Sequence, residues 1–214
     1  MITRSKICGL QNPDDIQVAV NAGADALGFV FYAKSPRNVE LKVAKTLIRN
    51  VPGFVSTVAL VVNEHSSVID QILNQTQVNY LQFHGDESGK TCRQFGANYI
   101  KAIRVSEQTN FAEIQEEFYD AKLLLLDAYV PGIPGGTGQT FDWSLIGNLE
   151  KPWALAGGLT PDNVKYAIEQ VHPFAVDVSG GVESSLEVAG RKGVKDALKI
   201  KQFLQQVKAV SSYE

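Results

Sequence analysis

Cysteine is almost absent. Cys8 and Cys92 are the only two in a chain of 214 residues, and histidine occurs three times. Neither a disulfide framework nor a CxxC or Cys/His zinc pattern can be built from so few, so reduced thiols and no bound metal are expected. An excess of positive charge is missing too. Lys+Arg 20 stand against Asp+Glu 23, for a net charge of −3 with no basic run, which removes the electrostatic footprint of a nucleic-acid or membrane-surface protein. The longest apolar stretches, such as 55–62 and 123–126, fall far short of the roughly 20 residues that span a bilayer. The N-terminus, Met1-Ile2-Thr3-Arg4-Ser5-Lys6, lacks the pattern of a secretory signal or transit peptide, so the expected location is the cytoplasm. At roughly 150 residues per domain this length allows two small domains or one large one, and the absence of linkers, low-complexity tracts and charge runs favours one domain over residues 1–214.

What is present is alternation. Eight short apolar runs rich in β-branched residues fall at 6–10, 26–32, 55–62, 80–85, 99–105, 123–129, 153–159 and 175–182, the pattern of strands covered on both faces. Helical signals lie between them. Asn12-Pro13-Asp14-Asp15 combines an N-cap, a first-turn proline and acidic residues, and Thr160-Pro161-Asp162-Asn163 repeats the device before 164–171. Gly23 closes the first helix, and 193–207 carries an amphipathic pattern. Such alternation predicts an α/β fold with a parallel sheet, either a (β/α)8 TIM barrel or an open doubly wound sheet. Polar residues and glycines gather after many strand ends: Cys8-Gly9, 34–37, Asn63, 84–86, Arg104, Asp127, Gly157-Gly158 and 177–181. A barrel spreads its site over many loops in this way, whereas an open sheet concentrates it at one switch point.

Glycine-rich turns follow the seventh and eighth runs, at Gly157-Gly158 and at Ser179-Gly180-Gly181. They serve either as tight turns or as a phosphate cradle of unhindered amides, and their order matches the phosphate site common to barrels. Cys8 reads as a buried thiol or a reactive one. Asp127 ends the run Leu123-Leu124-Leu125-Leu126, where a carboxylate must accept hydrogen bonds or be held protonated by desolvation, as a structural group or a catalytic acid. Arg37, after Ser35-Pro36, is a surface arginine or a fork for a carboxylate at the barrel mouth. His65 and His84 read as hydrogen-bonded structural groups. Gly135-Gly136-Thr137-Gly138 has Phe141 where a dinucleotide loop needs glycine, and reads instead as a flexible loop near the substrate. The nucleophile-elbow and P-loop motifs are absent.

Read together, Lys6-Ile7-Cys8-Gly9-Leu10, Ser35-Pro36-Arg37, Leu81-Gln82-Phe83-His84-Gly85, Leu126-Asp127, Phe141-Asp142-Trp143, Leu155-Ala156-Gly157-Gly158-Leu159, Asp177-Val178-Ser179 and Gly181-Val182-Glu183 resemble the phosphoribosylanthranilate isomerase family. The resemblance extends to Lys195-Asp196 and Phe203. It implies a barrel that converts N-(5-phosphoribosyl)anthranilate to 1-(2-carboxyphenylamino)-1-deoxyribulose 5-phosphate, an Amadori rearrangement in tryptophan biosynthesis that needs no metal or organic cofactor. By this resemblance Asp127 is the general acid, Cys8 the general base and Arg37 the holder of the anthranilate carboxylate. Gly157, Gly158, Ser179 and Gly180 contact the phosphate, and Asp177 lies near the ribose hydroxyls. Gly180 departs from the serine more often found there, keeping the amide without the hydroxyl. Lys6, next to the strand's apolar residues, is expected on the face opposite Cys8 and receives no role.

Indole-glycerol-phosphate synthase would need a lysine and glutamates at strand ends, and a metal-dependent ribulose-phosphate epimerase a cluster of histidines and aspartates. A noncatalytic phosphometabolite sensor would have no use for a spaced acid and base. The expected partner is therefore a small-molecule substrate, not nucleic acid or a membrane, with the chain a monomer or homodimer.

Overall fold

A computed structural model describes residues 2–128 and 140–211. Strands β1 (Arg4–Cys8), β2 (Ala26–Phe31), β3 (Ser56–Val61), β4 (Tyr80–Phe83), β5 (Tyr99–Val105), β6 (Leu123–Ala128), β7 (Trp153–Leu155) and β8 (Ala175–Val178) pair in chain order and close on themselves. All eight pairings are parallel. The pairing of β8 with β1, which sets Lys6 opposite Asp177, excludes the open sheet and makes this a (β/α)8 barrel.

Helices α1 (Pro13–Ala22), α2 (Leu41–Arg49), α3 (Ser66–Thr76), α4 (Gly89–Arg93), α5 (Phe111–Glu117) and α6 (Val164–Val171) follow β1 to β5 and β7, while α7 (Leu186–Ala189) and α8 (Ala197–Ser211) follow β8. The capping signals explain α1. Asn12 Oδ1 accepts the Asp15 amide at 2.9 Å, and Gly23 ends the helix at φ 86°. The similar device before α6 acts differently. Asn163 Oδ1 accepts the Thr160 amide at 2.8 Å and so ties the preceding loop instead of capping the helix.

The uniform apolarity of the strands has a geometric cause. Alternate residues of β6 face opposite ways: Leu124 and Leu126 pack outward against the helices, while Leu125 joins Val58, Ile100, Ala102, Ala154, Ala156 and Ala175 inside the barrel. Asp127 therefore falls on the inner face at the C-terminal end of its strand. Among the described residues no helix is long and apolar enough to cross a membrane.

Element ends differ from the sequence pattern where backbone chemistry intervenes. β7 stops at Leu155 because Gly157 and Gly158, at φ 82° and 64°, cannot continue a pleat. β8 stops at Val178, and 180–182 coil into a 3-10 turn. β1 starts at Arg4 and is turned by Gly9 at φ 80°. The last helix begins at Ala197 and not near Gly193, because Ser184 donates its amide to Val194 O at 2.9 Å. The Asp196 side chain then receives the amides of Leu198 and Lys199 at 2.9 and 3.1 Å, which caps the helix.

Candidate active site

A cavity of about 520 Å³ opens at the C-terminal mouth of the barrel. Cys8, Arg37, Asp127, Gly157, Gly158, Asp177, Ser179 and Gly180 all line it, so every site residue expected from the sequence is brought to one place. Around the wall the order is β6, β7, β8, β1, β2. Asp127 is thus separated from Cys8 by the two strands whose loops carry the glycines. A remaining part of the wall is apolar, formed by Val30, Leu60 and Val62 beside Cys8, and presents a surface suited to an aromatic ring. These three had no distinguishing mark in the sequence, being ordinary strand residues until the barrel turned them to the mouth. The glycine stretch 135–138 falls outside the described residues.

Asp127 is satisfied by hydrogen bonds. Its Oδ1 accepts the Ala128 amide at 2.9 Å, and its Oδ2 lies 3.0 Å from His84 Nε2. Gln82 Nε2 is 3.0 Å from His84 Nδ1. With Gln82 donating to Nδ1, His84 is the tautomer that donates from Nε2 to the carboxylate. His84 is therefore hydrogen-bonded, as expected, but its partner is the aspartate at the cavity. Space for that aspartate comes from Gly157, where a Cβ would lie 2.7 Å from Asp127 Oδ1.

Lys6 is on the same side as Cys8, contrary to the sequence expectation. Residues two apart on a strand share a face, and a Cβ on Gly28 would meet both Cys8 Sγ at 2.7 Å and Lys6 Cε at 3.1 Å. The Lys6 ammonium donates to both oxygens of Asp177, at 2.9 Å each. Burial by itself would lower the Lys6 ammonium, but Asp177 and Cys8 outweigh it and raise it. Burial pushes the Cys8 thiol up, and Lys6 and Lys195 only partly oppose that. Asp177, expected near ribose hydroxyls, does line the cavity, and its carboxylate retains lone pairs beyond those used by Lys6. Cys92 sits apart in the outer core, where burial pushes its thiol up to about 12 and leaves it unreactive.

Arg37 crosses the mouth over β1. Gly9 permits this, since a Cβ there would be 2.7 Å from Arg37 Cδ. The guanidinium pairs through Nε and Nη2 with Glu183, at 2.5 and 3.0 Å. Glu183 also receives Lys195 Nζ at 3.0 Å. Lys195 in turn donates to the Ser179 carbonyl at 2.9 Å, and Ser179 Oγ donates to Cys8 O at 3.0 Å. Sequence reasoning assigned no role to Glu183 or Lys195, although both stand in the motifs that carried the resemblance. Burial would raise the Glu183 carboxyl, but Arg37 and Lys195 hold it below its ordinary value. The stability this cluster contributes is therefore present above the usual glutamate range and fades as the pH falls through the lowered value, which urea midpoints measured from neutral to acid pH will show.

The two glycine loops interlock. A Cβ on Gly181 would lie 1.8 Å from Leu159 O, a backbone atom that cannot swing aside. Gly181→Ala is accordingly expected to cost about 1–3 kcal/mol or more, lowering Tm and weakening inorganic phosphate as a competitive inhibitor in the same variant. An unchanged Tm would show that the loops are not held by this contact. Among the described residues no three His, Cys, Asp or Glu side chains form a metal-binding group.

The family model for N-(5'phosphoribosyl)anthranilate (PRA) isomerase matches residues 5–206. This chain belongs to that family. The N-(5'-phosphoribosyl)anthranilate isomerase of Thiobacillus denitrificans is 51% identical over 210 residues, covering 98% of this chain and 100% of its own length. The phosphoribosyl anthranilate isomerase from Thermotoga maritima has a solved structure with a TM-score of 0.83 and 38% identity, covering 97% of this chain and 99% of that one. A further solved isomerase, in complex with reduced 1-(o-carboxyphenylamino)-1-deoxyribulose 5-phosphate, has a TM-score of 0.78 at 35% identity, with coverage of 97% and 99%. Family membership makes the chain an isomerase that acts on a small molecule.

Proposed function

We propose that the chain isomerises N-(5-phosphoribosyl)anthranilate to 1-(2-carboxyphenylamino)-1-deoxyribulose 5-phosphate, with Asp127 as general acid and Cys8 as general base. The observation that carries this reading is the gathering of an acid, a thiol, an arginine and two interlocked glycine loops at a single cavity. The full-length relatives and the analogue-bound isomerase support the same substrate.

The proposed chemistry follows from the order of groups around the mouth. The phosphate rests on the loops of β7 and β8, where exposed amides favour an anion. The anthranilate ring lies on the apolar wall, with its carboxylate toward Arg37. A protonated Asp127 carboxyl gives its proton to the furanose ring oxygen and is left as the carboxylate that the Ala128 amide and His84 Nε2 stabilise. The C1–O bond breaks and the nitrogen lone pair forms the C1=N iminium. The Cys8 thiolate then removes the C2 proton, and the C2–H electrons form a C1=C2 enolamine as the iminium nitrogen is neutralised. Tautomerisation places a proton on C1 and a carbonyl at C2. C2 is oxidised as C1 is reduced, so the rearrangement is balanced internally. A cationic iminium also favours a thiolate beside it, which counters the burial that raises Cys8.

Mixing freshly generated phosphoribosylanthranilate with the chain is expected to consume its fluorescence and yield an aminoketose of unchanged mass. Deuterium at ribose C2 is expected to slow the step and to exchange with solvent. A folded chain that binds the reduced product analogue without turning over substrate would overturn this reading in favour of a metabolite sensor.

A further inference from the structure

We propose that Glu183, clamped by Lys195, is a positioning residue that sets the Arg37 guanidinium to receive a substrate carboxylate. The proposal rests on the reading above that Arg37 holds that carboxylate, and adds which residues make the arginine selective.

The geometry of Glu183 is fully committed. Oε1 receives Arg37 Nε at 2.5 Å and Lys195 Nζ at 3.0 Å, while Oε2 receives Arg37 Nη2 at 3.0 Å and the Gly193 amide at 3.2 Å. Four donors occupy the roughly four lone-pair sites of a carboxylate. Neither oxygen can turn toward the cavity, so Glu183 is no candidate to touch substrate. Its effect is on Arg37. One edge of the guanidinium, Nε with a hydrogen of Nη2, is spent on Glu183. The remaining edge, Nη1 with the other Nη2 hydrogen, is left as the fork, and Arg37 lines the cavity. Nη2 is also close to the phosphate loop, since a Cβ on Gly180 would lie 3.3 Å from it. A serine there would crowd this nitrogen, whereas glycine leaves it open.

The charges support the same division of work. Arg37 and Glu183 alone would cancel, and a neutral pair attracts an anion poorly. Lys195, whose side chain is 0% exposed, restores one net positive charge to the cluster when protonated; burial lowers its ammonium, and the ion pair with Glu183 opposes that. It also has a second duty, donating to the Ser179 carbonyl at 2.9 Å and to Ser179 Oγ at 3.3 Å. Loss of Glu183 should therefore affect carboxylate recognition selectively, and loss of Lys195 should affect the phosphate loop as well.

The test compares two inhibitors of the full chain: reduced 1-(o-carboxyphenylamino)-1-deoxyribulose 5-phosphate and the same compound without its carboxyl group. Inorganic phosphate serves as a probe of the loops. Glu183→Gln is expected to weaken the carboxylated inhibitor by about tenfold, the effect of freeing one rotamer-rich side chain. Loss of the Glu183 charge leaves the cluster more positive toward every anionic probe, so the decarboxylated inhibitor and phosphate should bind unchanged or slightly tighter, the substrate KM should rise, and kcat should hold. Arg37→Met should abolish the preference for the carboxylated compound. Equal weakening of all three probes by Glu183→Gln would mark a merely structural role and overturn the proposal, as would an unchanged preference alongside its loss in Arg37→Met. If Arg37→Met itself keeps the full preference, the assignment of Arg37 to the carboxylate fails, and this inference with it. Should Glu183→Gln not fold, Glu183→Gln/Lys195→Met leaves no unpaired buried ammonium and reads the same inhibitor ratio.

Discussion

Asp127→Asn is expected to lower kcat by about 10²–10⁴-fold, the contribution of a positioned acid or base. An amide is the same size as the carboxylate and can still accept the Ala128 amide that now reaches Oδ1 at 2.9 Å. The second contact is harder to keep. His84 Nε2 donates to Oδ2 at 3.0 Å, and an amide nitrogen in that place would set donor against donor until His84 changes tautomer. A loss of stability of about 1–3 kcal/mol, from one disturbed buried hydrogen bond, is the accompanying effect. Binding of the reduced product analogue should persist, because Asp127 is not among the groups assigned to phosphate or carboxylate. Stopped-flow fluorescence gives kcat and a thermal melt gives stability. Turnover within tenfold of the unmodified chain would remove Asp127 from the role of acid. Cys8→Ser should show a comparable loss of kcat, since a hydroxyl is a far weaker base than a thiolate at neutral pH.

Lys6→Met is expected to be costly twice over. Lys6 and Asp177 form an ion pair with side chains only 8% and 9% exposed. Removing one partner leaves a buried carboxylate unpaired, at about 3–5 kcal/mol. At about 2–4 °C per kcal/mol for a chain of this size, Tm should fall by about 6–20 °C. Lys6→Met/Asp177→Leu should recover most of that, because a pair of well-packed apolar residues carries no stranded charge. Activity should not recover. Burial already raises the Cys8 thiol, and Lys6 opposes it more strongly than any other group. Without the ammonium the thiolate forms at still higher pH, so the rising limb of kcat/KM against pH should move in the alkaline direction, further in Lys6→Met than in the double variant, which also loses the Asp177 charge that raises Cys8. A stable Lys6→Met with an unmoved pH limb would show that Lys6 neither holds Asp177 nor serves Cys8.

Much of this barrel could be read along the chain because its determinants are local. The period of strand and helix, the turn glycines, and Asp127 at the end of four leucines all come from neighbours in sequence. The helix boundaries that moved were those decided at a distance, as where 194–196 pair with 182–184 and delay α8. Lys6 is a different case. Its spacing from Cys8 is two residues, and strand alternation puts residues two apart on one face, so the sequence itself contains that placement.

The rest had no local signal. Glu183 and Arg37 are 146 residues apart, His84 and Asp127 are 43 apart, and Lys6 and Asp177 are 171 apart. Nothing in a strand's own residues states which partner it will face. That is settled by the register in which β8 closes on β1 and by the common tilt that brings eight strand ends to one mouth. By itself the sequence determined an alternating α/β chain, its family resemblance, and the residue types available for acid, base and anion contacts. Which charges neutralise one another, and which edge of Arg37 is left for a ligand, were decided only by barrel closure, because burying an ion requires a partner and the partner is supplied by the fold.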